Sequence, residues 1–208
     1  LDELMAGGDV RIADFKGGTA HNAIPRDAEA VIAAPADRVA DAKATIATLE
    51  GYAKNEYVKT DPKMSLGFED ADAPSDALTA ADSRRTVDFL LSIPHGVAEY
   101  SKDIDGLVET SDNLATVKIE NGRVMALTSQ RSSNMQKLDF LTRRIEAVAR
   151  AAGGEADTGG GYPAWQPNMD SPLLAKCVAT YKELFGKEPV VEIIHAGLEC
   201  GIIGAKYE

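Results

Sequence analysis

A two-residue turn in the middle of the chain, Asn121-Gly122, most constrains how this 208-residue sequence can fold. It separates two alternating runs, 114–120 and 123–130, and Asn-Gly is a preferred pair for the type I′ turn that joins antiparallel strands. In that register the apolar side chains share one face of the hairpin, with Val117 opposite Ala126. The sequence therefore predicts an antiparallel sheet with one apolar face.

The remaining elements can be read from hydrophobic spacing. Apolar residues three and four positions apart predict helices over 37–57, 76–92, 135–152 and 171–185. Ser75 or Asp76 is expected to cap the second helix, and Ser171 followed by Pro172 to begin the fourth, which ends at Gly186. Alternating or short apolar runs predict further strands over 9–15, 28–34, 63–68, 155–162 and 190–194.

Two stretches of the chain, 9–68 and 107–162, share the order strand, turn, strand, helix, strand at similar lengths. The shared order predicts two copies of one unit, each an antiparallel sheet with helices on one face. A Pro-rich crossing follows over 163–172, and the helix and the 190–194 strand after it are α/β in character, unlike what precedes them. We therefore expect an α+β protein with tandem sheet-and-helix units over 9–68 and 107–162, followed by a helix and a strand of α/β character.

The strand predicted at 190–194 leads directly into His195-Ala-Gly-Leu-Glu-Cys-Gly201. Its β-branched composition is typical of a strand buried on both faces of a parallel sheet. In open α/β sheets, ligands bind beyond the carboxyl ends of the strands, where this imidazole, carboxylate and thiol would lie. One strand cannot form a parallel sheet, and the chain has no initiator Met, so we expect a piece of a larger enzyme.

Composition narrows the function classes. The net charge of −11 argues against nucleic acid and anionic membranes as partners, and no apolar run approaches the roughly 20 residues that span a bilayer. The N-terminus has no signal-type apolar core. Two cysteines, Cys177 in a predicted helix and Cys200 in a predicted glycine loop, do not form a disulfide framework. These features predict a cytoplasmic protein with reduced thiols.

Two polar residues are candidates for ligand contacts. Asn22 lies in a loop that begins with Gly17-Gly18 and ends at Pro25, so its amide can either donate to a ligand oxygen or cap a turn. Arg131 follows the hairpin strand. It is either a solvated surface charge or a guanidinium that binds a carboxylate with two hydrogen bonds.

The segment after the last predicted strand offers two more candidates. His195 and Glu199 have the spacing of ligands one helical turn apart, but the nearby glycines favour a loop, where the pair either stabilises a tight turn or faces substrate. A zinc site needs three or four ligands, and the other histidines, His21 and His95, lie in distant predicted loops. We therefore expect no complete metal site within these residues.

Three motifs together resemble a known family. Gly-Gly-Thr-Ala-His-Asn-Ala-Ile-Pro-Arg (17–26), Gly-Tyr-Pro-Ala-Trp-Gln-Pro (161–167) and Ile-Ile-His-Ala-Gly-Leu-Glu-Cys-Gly (193–201) closely resemble the aminoacyl-histidine dipeptidases. These enzymes, also called Xaa-His dipeptidases, peptidase D or bacterial carnosinases, belong to the di-zinc metallopeptidases related to glutamate carboxypeptidase and the aminoacylases. The similarity runs over essentially the whole chain.

The resemblance implies a division of the chain. Residues 1–162 would be most of the lid domain, which in this family also mediates dimerisation, and residues 163–208 would begin the return into the catalytic domain. The two zinc ions and their ligands would belong to parts of the enzyme outside this chain, so the isolated chain would be inactive. The implied partners are a dipeptide with a C-terminal histidine and a second copy of the protein, with no nucleic acid or membrane.

The resemblance also implies roles for individual residues. Asn22 matches a lid asparagine that contacts substrate, and Arg131 matches a lid arginine that binds the terminal carboxylate. Gly201, with His195 and Glu199 beside it, matches a loop that lines the substrate pocket. The chain is thus expected to orient substrate in a zinc dipeptidase; the alternative is a non-catalytic dimerisation or binding module that retains the lid fold.

Overall fold

The computed structural model describes residues 1–102, 104–161, 168–192, 199–204 and 206. Within these residues the chain forms six α-helices and five strands, with a short 3₁₀ helix, Ala36–Arg38, before α2. In chain order the elements are α1 Asp2–Ala6, β1 Arg11–Gly17, β2 Ala28–Ala33, α2 Val39–Glu56, α3 Ala80–Ser92, β3 Gly96–Tyr100, β4 Val108–Glu120, β5 Arg123–Ser132, α4 Met135–Ala151, α5 Pro172–Phe185 and α6 Glu199–Gly204.

The described chain divides into two compact units that are interleaved in sequence. The first contains 1–93, 114–128 and 151–153, and the second contains the described residues of 94–113, 129–150 and 154–208. The predicted hairpin is present, because β5 pairs with β4 and the turn residues Asn121 and Gly122 have φ of 52° and 71°. Both strands are longer than expected, and each contributes residues to both units.

In the first unit β1 is the central strand. It pairs antiparallel with β2 from Arg11↔Ala33 to Gly17↔Ala28, and with β4 at Gly17↔Val117. Ile12 and Phe15, on β1, pack with Val87 of α3 in a buried cluster that also receives apolar residues of the hairpin. The backbone N–H of Ile12 donates to the hydroxyl of fully buried Ser83 at 3.0 Å, which fixes α3 against the strand.

The predicted strand over 63–68 is wrong. Residues 64–70 lie beside α2 without strand pairing: the N–H of Leu66 donates to the Glu50 carboxylate at 3.2 Å, and Lys43 forms an ion pair with Asp70 at 2.9 Å. Phe68 packs against a second buried cluster of this unit, formed by Leu4, Val10 and Ala42. An alternating pattern of apolar and polar residues shows which side chains face a core. A strand also needs a free sheet edge whose backbone groups it can pair with, and here side chains of α2 bind the segment instead.

In the second unit β3 pairs antiparallel with the first half of β4, from Gly96↔Asp112 to Tyr100↔Val108, with two irregularities. Sequence patterns did not predict β3. Helix α4 buries one apolar stripe, at Leu141, Ile145 and Ala149, as its periodicity predicts.

Polar contacts fix the start of α4. The Asn134 side chain accepts a hydrogen bond from the N–H of Gln136 at 2.9 Å, which caps the helix. Lys137, in the first turn, binds Glu99 of β3 at 2.8 Å and also binds Glu109 of β4. The helix is therefore tied by its first turn to two strands of its own unit.

Other predictions near helix ends had mixed outcomes. Helix α5 is confirmed with its Ser171 cap and left-handed Gly186, although Leu184 and Phe185 are exposed. Helix α3 is confirmed but begins later than expected, because Thr79 rather than Ser75 or Asp76 is the cap: its hydroxyl accepts from the N–H of Asp82 at 3.0 Å.

Two more predicted strands are wrong where the structure describes them. Residues 155–161 have no regular structure; 159–161 are glycines, which lose backbone entropy and offer no side chain to pack. Residues 190–192 also lie outside any strand, with Val190 82% exposed and no pairing partner among the described residues. The remainders of both predictions, 162 and 193–194, lie outside the described residues.

The α+β class is confirmed: helices lie with antiparallel strands in one chain. The division into two internal repeats stays a prediction. Among the described residues, no helix combines the length with the apolar composition needed to cross a bilayer.

Candidate functional site

The loop that carries Asn22 is closed tightly at its base. The N–H of Gly18 donates to the carbonyl of Asp27 at 3.1 Å. Gly18 has φ of +72°, and a Cβ there would lie 1.9 Å from the carbonyl oxygen of Ala115 on β4. Only glycine combines this backbone angle with so close an approach. The glycines of the motif therefore have a structural purpose: they let the loop leave β1 directly against the hairpin.

Asn22 itself lies at the exposed end of this loop. Residues 20–23 form a turn closed by the Ala23 N–H, which donates to the Ala20 carbonyl at 3.3 Å. The Asn22 side chain is exposed, and its amide group has N–H donors of the kind that can bind a ligand oxygen. Neighbouring Ile24 is 75% exposed, so the loop presents an apolar contact beside the amide.

Arg131 lies near the end of β5 and is half-buried. Side-chain contacts flank it on the same strand. The Gln130 amide donates to the Asp112 carboxylate at 2.8 Å, and the hydroxyls of Ser132 and Thr110 share a hydrogen bond of 2.9 Å. The guanidinium is therefore carried by a strand that is held to β4 immediately before and after it.

Asp112 was not a candidate from the sequence. It is only 4% exposed, and burial raises the pKa of its carboxyl. The hydrogen bond from Gln130, the backbone of Asn113 and the nearby His95 act in the opposite direction without cancelling that increase. The only sequence signal was a pair of polar residues, Thr110 and Asp112, two positions apart just before the predicted start of the hairpin.

The C-terminal candidates differ from expectation. Glu199, Cys200 and Gly201 begin helix α6, whereas the glycines favoured a loop. The exposed Glu199 carboxylate lies in the first turn of this short helix, where the unpaired N–H groups favour negative charge. His195 lies outside the described residues, so its spacing with Glu199 stays a prediction.

The candidates belong to different units: Asn22 to the first, and Arg131, Glu199 and Gly201 to the second. In the part of the chain that the structure describes, no group of three or more His, Cys, Asp or Glu side chains could hold a metal ion. The zinc implied by the sequence motifs therefore does not fit a site among the described side chains.

Comparison with known proteins relates this geometry to enzymes. Residues 1–61 match the family model described as the peptidase dimerisation domain. The crystal structure of aminoacylhistidine dipeptidase from Vibrio alginolyticus superimposes over 98% of this chain with a TM-score of 0.89 and 30% identity. The chain is similar to one segment of a dipeptidase. A cytosol non-specific dipeptidase of Escherichia coli (strain K12) is 35% identical over 199 residues, which are 96% of this chain.

These matches confirm the resemblance to the dipeptidases that the motifs indicated. The chain spans 41% of the length of each of these two relatives. The names of the two relatives differ in one respect: one specifies aminoacylhistidine dipeptides, and the other is called non-specific.

Proposed function

We propose that this chain is the lid and dimerisation segment of a zinc-dependent dipeptidase, with residues 1–162 forming the lid and residues 163–208 a part of the catalytic domain. The observation that supports this most strongly is the match over 98% of the chain to a solved aminoacylhistidine dipeptidase. The proposed substrate is a dipeptide with a C-terminal histidine. The cytosolic relative supports a cytoplasmic enzyme.

Within this proposal, Asn22 and Arg131 orient the substrate. The exposed Asn22 amide donates to an oxygen of the scissile peptide, where negative charge develops during hydrolysis. The Arg131 guanidinium binds the terminal carboxylate with two hydrogen bonds, which sets the distance of the peptide bond from the reacting groups. His195, Glu199 and Gly201 line the pocket.

Zinc, when bound in the whole enzyme, supplies an activated water, and we propose that its ligands lie outside this chain. This chain's own contribution is binding and orientation. The match of residues 1–61 to a dimerisation domain supports a homodimer formed through the lid. Among the described strands β2 pairs with β1 alone, so its other edge is suited to association.

The test is an assay of the full-length protein on paired dipeptides X-His and X-Ala, before and after chelation and zinc restoration. We expect metal-dependent hydrolysis with a higher kcat/KM for X-His. Equal kcat/KM values for the two series would refute the histidine preference alone. No hydrolysis of any dipeptide would refute the enzymatic proposal and favour the non-catalytic binding module.

A matched pair of variants tests the Asn22 assignment. Asn22→Ala is expected to lower kcat by about 10²-fold or more, since one oxyanion-stabilising donor is lost. His21→Ala, one residue earlier on the same exposed turn, is expected to keep the kcat of the parent. Equal losses in both variants would show that the turn as a whole, rather than the Asn22 amide, affects turnover.

A further inference from the structure

The strand that carries Arg131 is held by two side-chain hydrogen bonds, one on each side of the arginine. Ser132 reaches Thr110 at 2.9 Å, and Gln130 reaches Asp112 at 2.8 Å. Thr110 is 2% exposed and Asp112 is 4% exposed, so water has little access to replace either partner. Hydrogen bonds to such buried groups from half-buried partners hold the two strands in one register, because breaking them leaves a buried polar group unsatisfied.

The Ser132 hydroxyl has a second contact that extends this connection. It accepts a hydrogen bond from the N–H of Asn134 at 3.1 Å, and the Asn134 side chain in turn caps α4 through Gln136. A continuous set of hydrogen bonds therefore runs from buried Thr110, through Ser132, to the first turn of a helix. The backbone just after Arg131 is fixed to both a strand and a helix of its own unit.

Side chains alternate along a strand, which places Arg131 on the face opposite Gln130 and Ser132. From this arrangement we propose that Thr110 and Ser132 are positioning residues for Arg131: their shared hydrogen bond holds the strand so that the guanidinium meets a substrate carboxylate with both N–H groups aligned. The inference rests on the proposed function, in which Arg131 binds that carboxylate. Neither hydroxyl touches the substrate.

The expected effect is on recognition of the carboxylate rather than on turnover in general. The two parallel hydrogen bonds of a guanidinium and a carboxylate need a fixed direction of approach. A strand that shifts at Ser132 weakens one of the two. Weakening one such bond without losing it lowers binding roughly fivefold, and a substrate with a C-terminal amide, which lacks the carboxylate, is not affected in the same way.

The experiment compares kcat/KM of the full-length enzyme for a dipeptide with a free carboxylate and for the same dipeptide as its C-terminal amide. Both substrates are measured on one preparation, so any loss of folded enzyme cancels in the ratio. Thr110→Val is expected to lower this ratio about fivefold through KM, and Thr110→Ser to retain it. The matched control is Thr86→Val, which removes the hydroxyl of a different buried threonine, on α3. This variant is expected to retain the ratio.

Arg131→Ala separates the two proposals. If it abolishes the preference for the carboxylate while Thr110→Val keeps the parent ratio, the positioning inference is overturned and the proposed function stands. If Arg131→Ala keeps the preference, the assignment of Arg131 fails, and the inference fails with it. Should Thr110→Val not yield folded enzyme, Ser132→Ala removes the other partner of the same bond, and an unchanged ratio in that variant overturns the inference.

Discussion

The close approach of Gly18 to β4 leads to a quantitative prediction about stability. Replacing Gly18 by alanine places a Cβ 1.9 Å from the carbonyl oxygen of Ala115, and the residue must also keep φ at +72°. The left-handed angle alone costs about 1–2 kcal/mol for an L-residue. Moving the loop away from the clash sacrifices the Gly18–Asp27 hydrogen bond, which contributes about 1 kcal/mol. We expect a total loss of roughly 2–3 kcal/mol.

Two other glycines separate these contributions. Gly122, in the hairpin turn, has φ of +71° but nothing within 4 Å of an added Cβ, so Gly122→Ala reports the backbone angle alone. Gly51 has open space, an ordinary φ and a place inside α2, so Gly51→Ala is expected to stabilise by about 0.5–1 kcal/mol. Gly18→Ala therefore tests the backbone angle together with the close approach, Gly122→Ala the backbone angle alone, and Gly51→Ala neither of them.

The assay is urea-induced unfolding of each variant followed by circular dichroism, with free energies taken from the midpoints and slopes. From most to least stable, the expected order is Gly51→Ala, the parent, Gly122→Ala and Gly18→Ala. If Gly18→Ala unfolds at the same urea concentration as Gly122→Ala, β4 can move away from the loop without cost. That result would refute the reasoning from the close approach.

Three further predictions concern side chains. Because burial raises the pKa of Asp112, the folded state binds the carboxyl proton more tightly than the unfolded state, and stability is lost as pH rises from about 4 through the raised pKa. Asp112→Asn has no such group to ionise and should therefore gain stability relative to the parent as pH increases. Urea midpoints of both proteins between pH 3 and 8 measure this difference. Lys137→Met, which breaks two ion pairs, should lower the melting temperature, whereas Lys118→Met, at an exposed pair, should not. Thr79→Ala should cost about 1 kcal/mol by removing a helix cap, with Ser75→Ala unchanged in the same denaturation assay.

Local chemistry explains which parts of the fold could be predicted. The Asn121-Gly122 turn and the Ser171 cap with Gly186 each satisfy their requirements within a few residues, so the hairpin and α5 are found where expected. The segments 63–68 and 155–161 have strand-like patterns, but pairing depends on which sheet edges remain free. That information comes from residues far away in the chain.

The same distinction applies to the candidate site. Asn22 and Arg131 could be selected because each lies in or beside a recognisable sequence pattern. Thr110 and Asp112 could not, since their contacts with β5 depend on the register of two strands rather than on spacing along one. Glu199 could be selected as a candidate, but the helix that begins at it was not predicted, because the low helix propensity of the neighbouring glycines favoured a loop.

The pairing of β1 with β4 affects the protein while it is being synthesised. Gly17 and its partner Val117 are 100 positions apart in sequence. A ribosome adding about 5–20 residues per second therefore takes roughly 5–20 s to deliver the partner after β1 has been translated. During this interval Ile12 and Phe15 lack the hairpin side chains that later cover them. This nascent segment is an expected binding site for the chaperones that act at the ribosome exit.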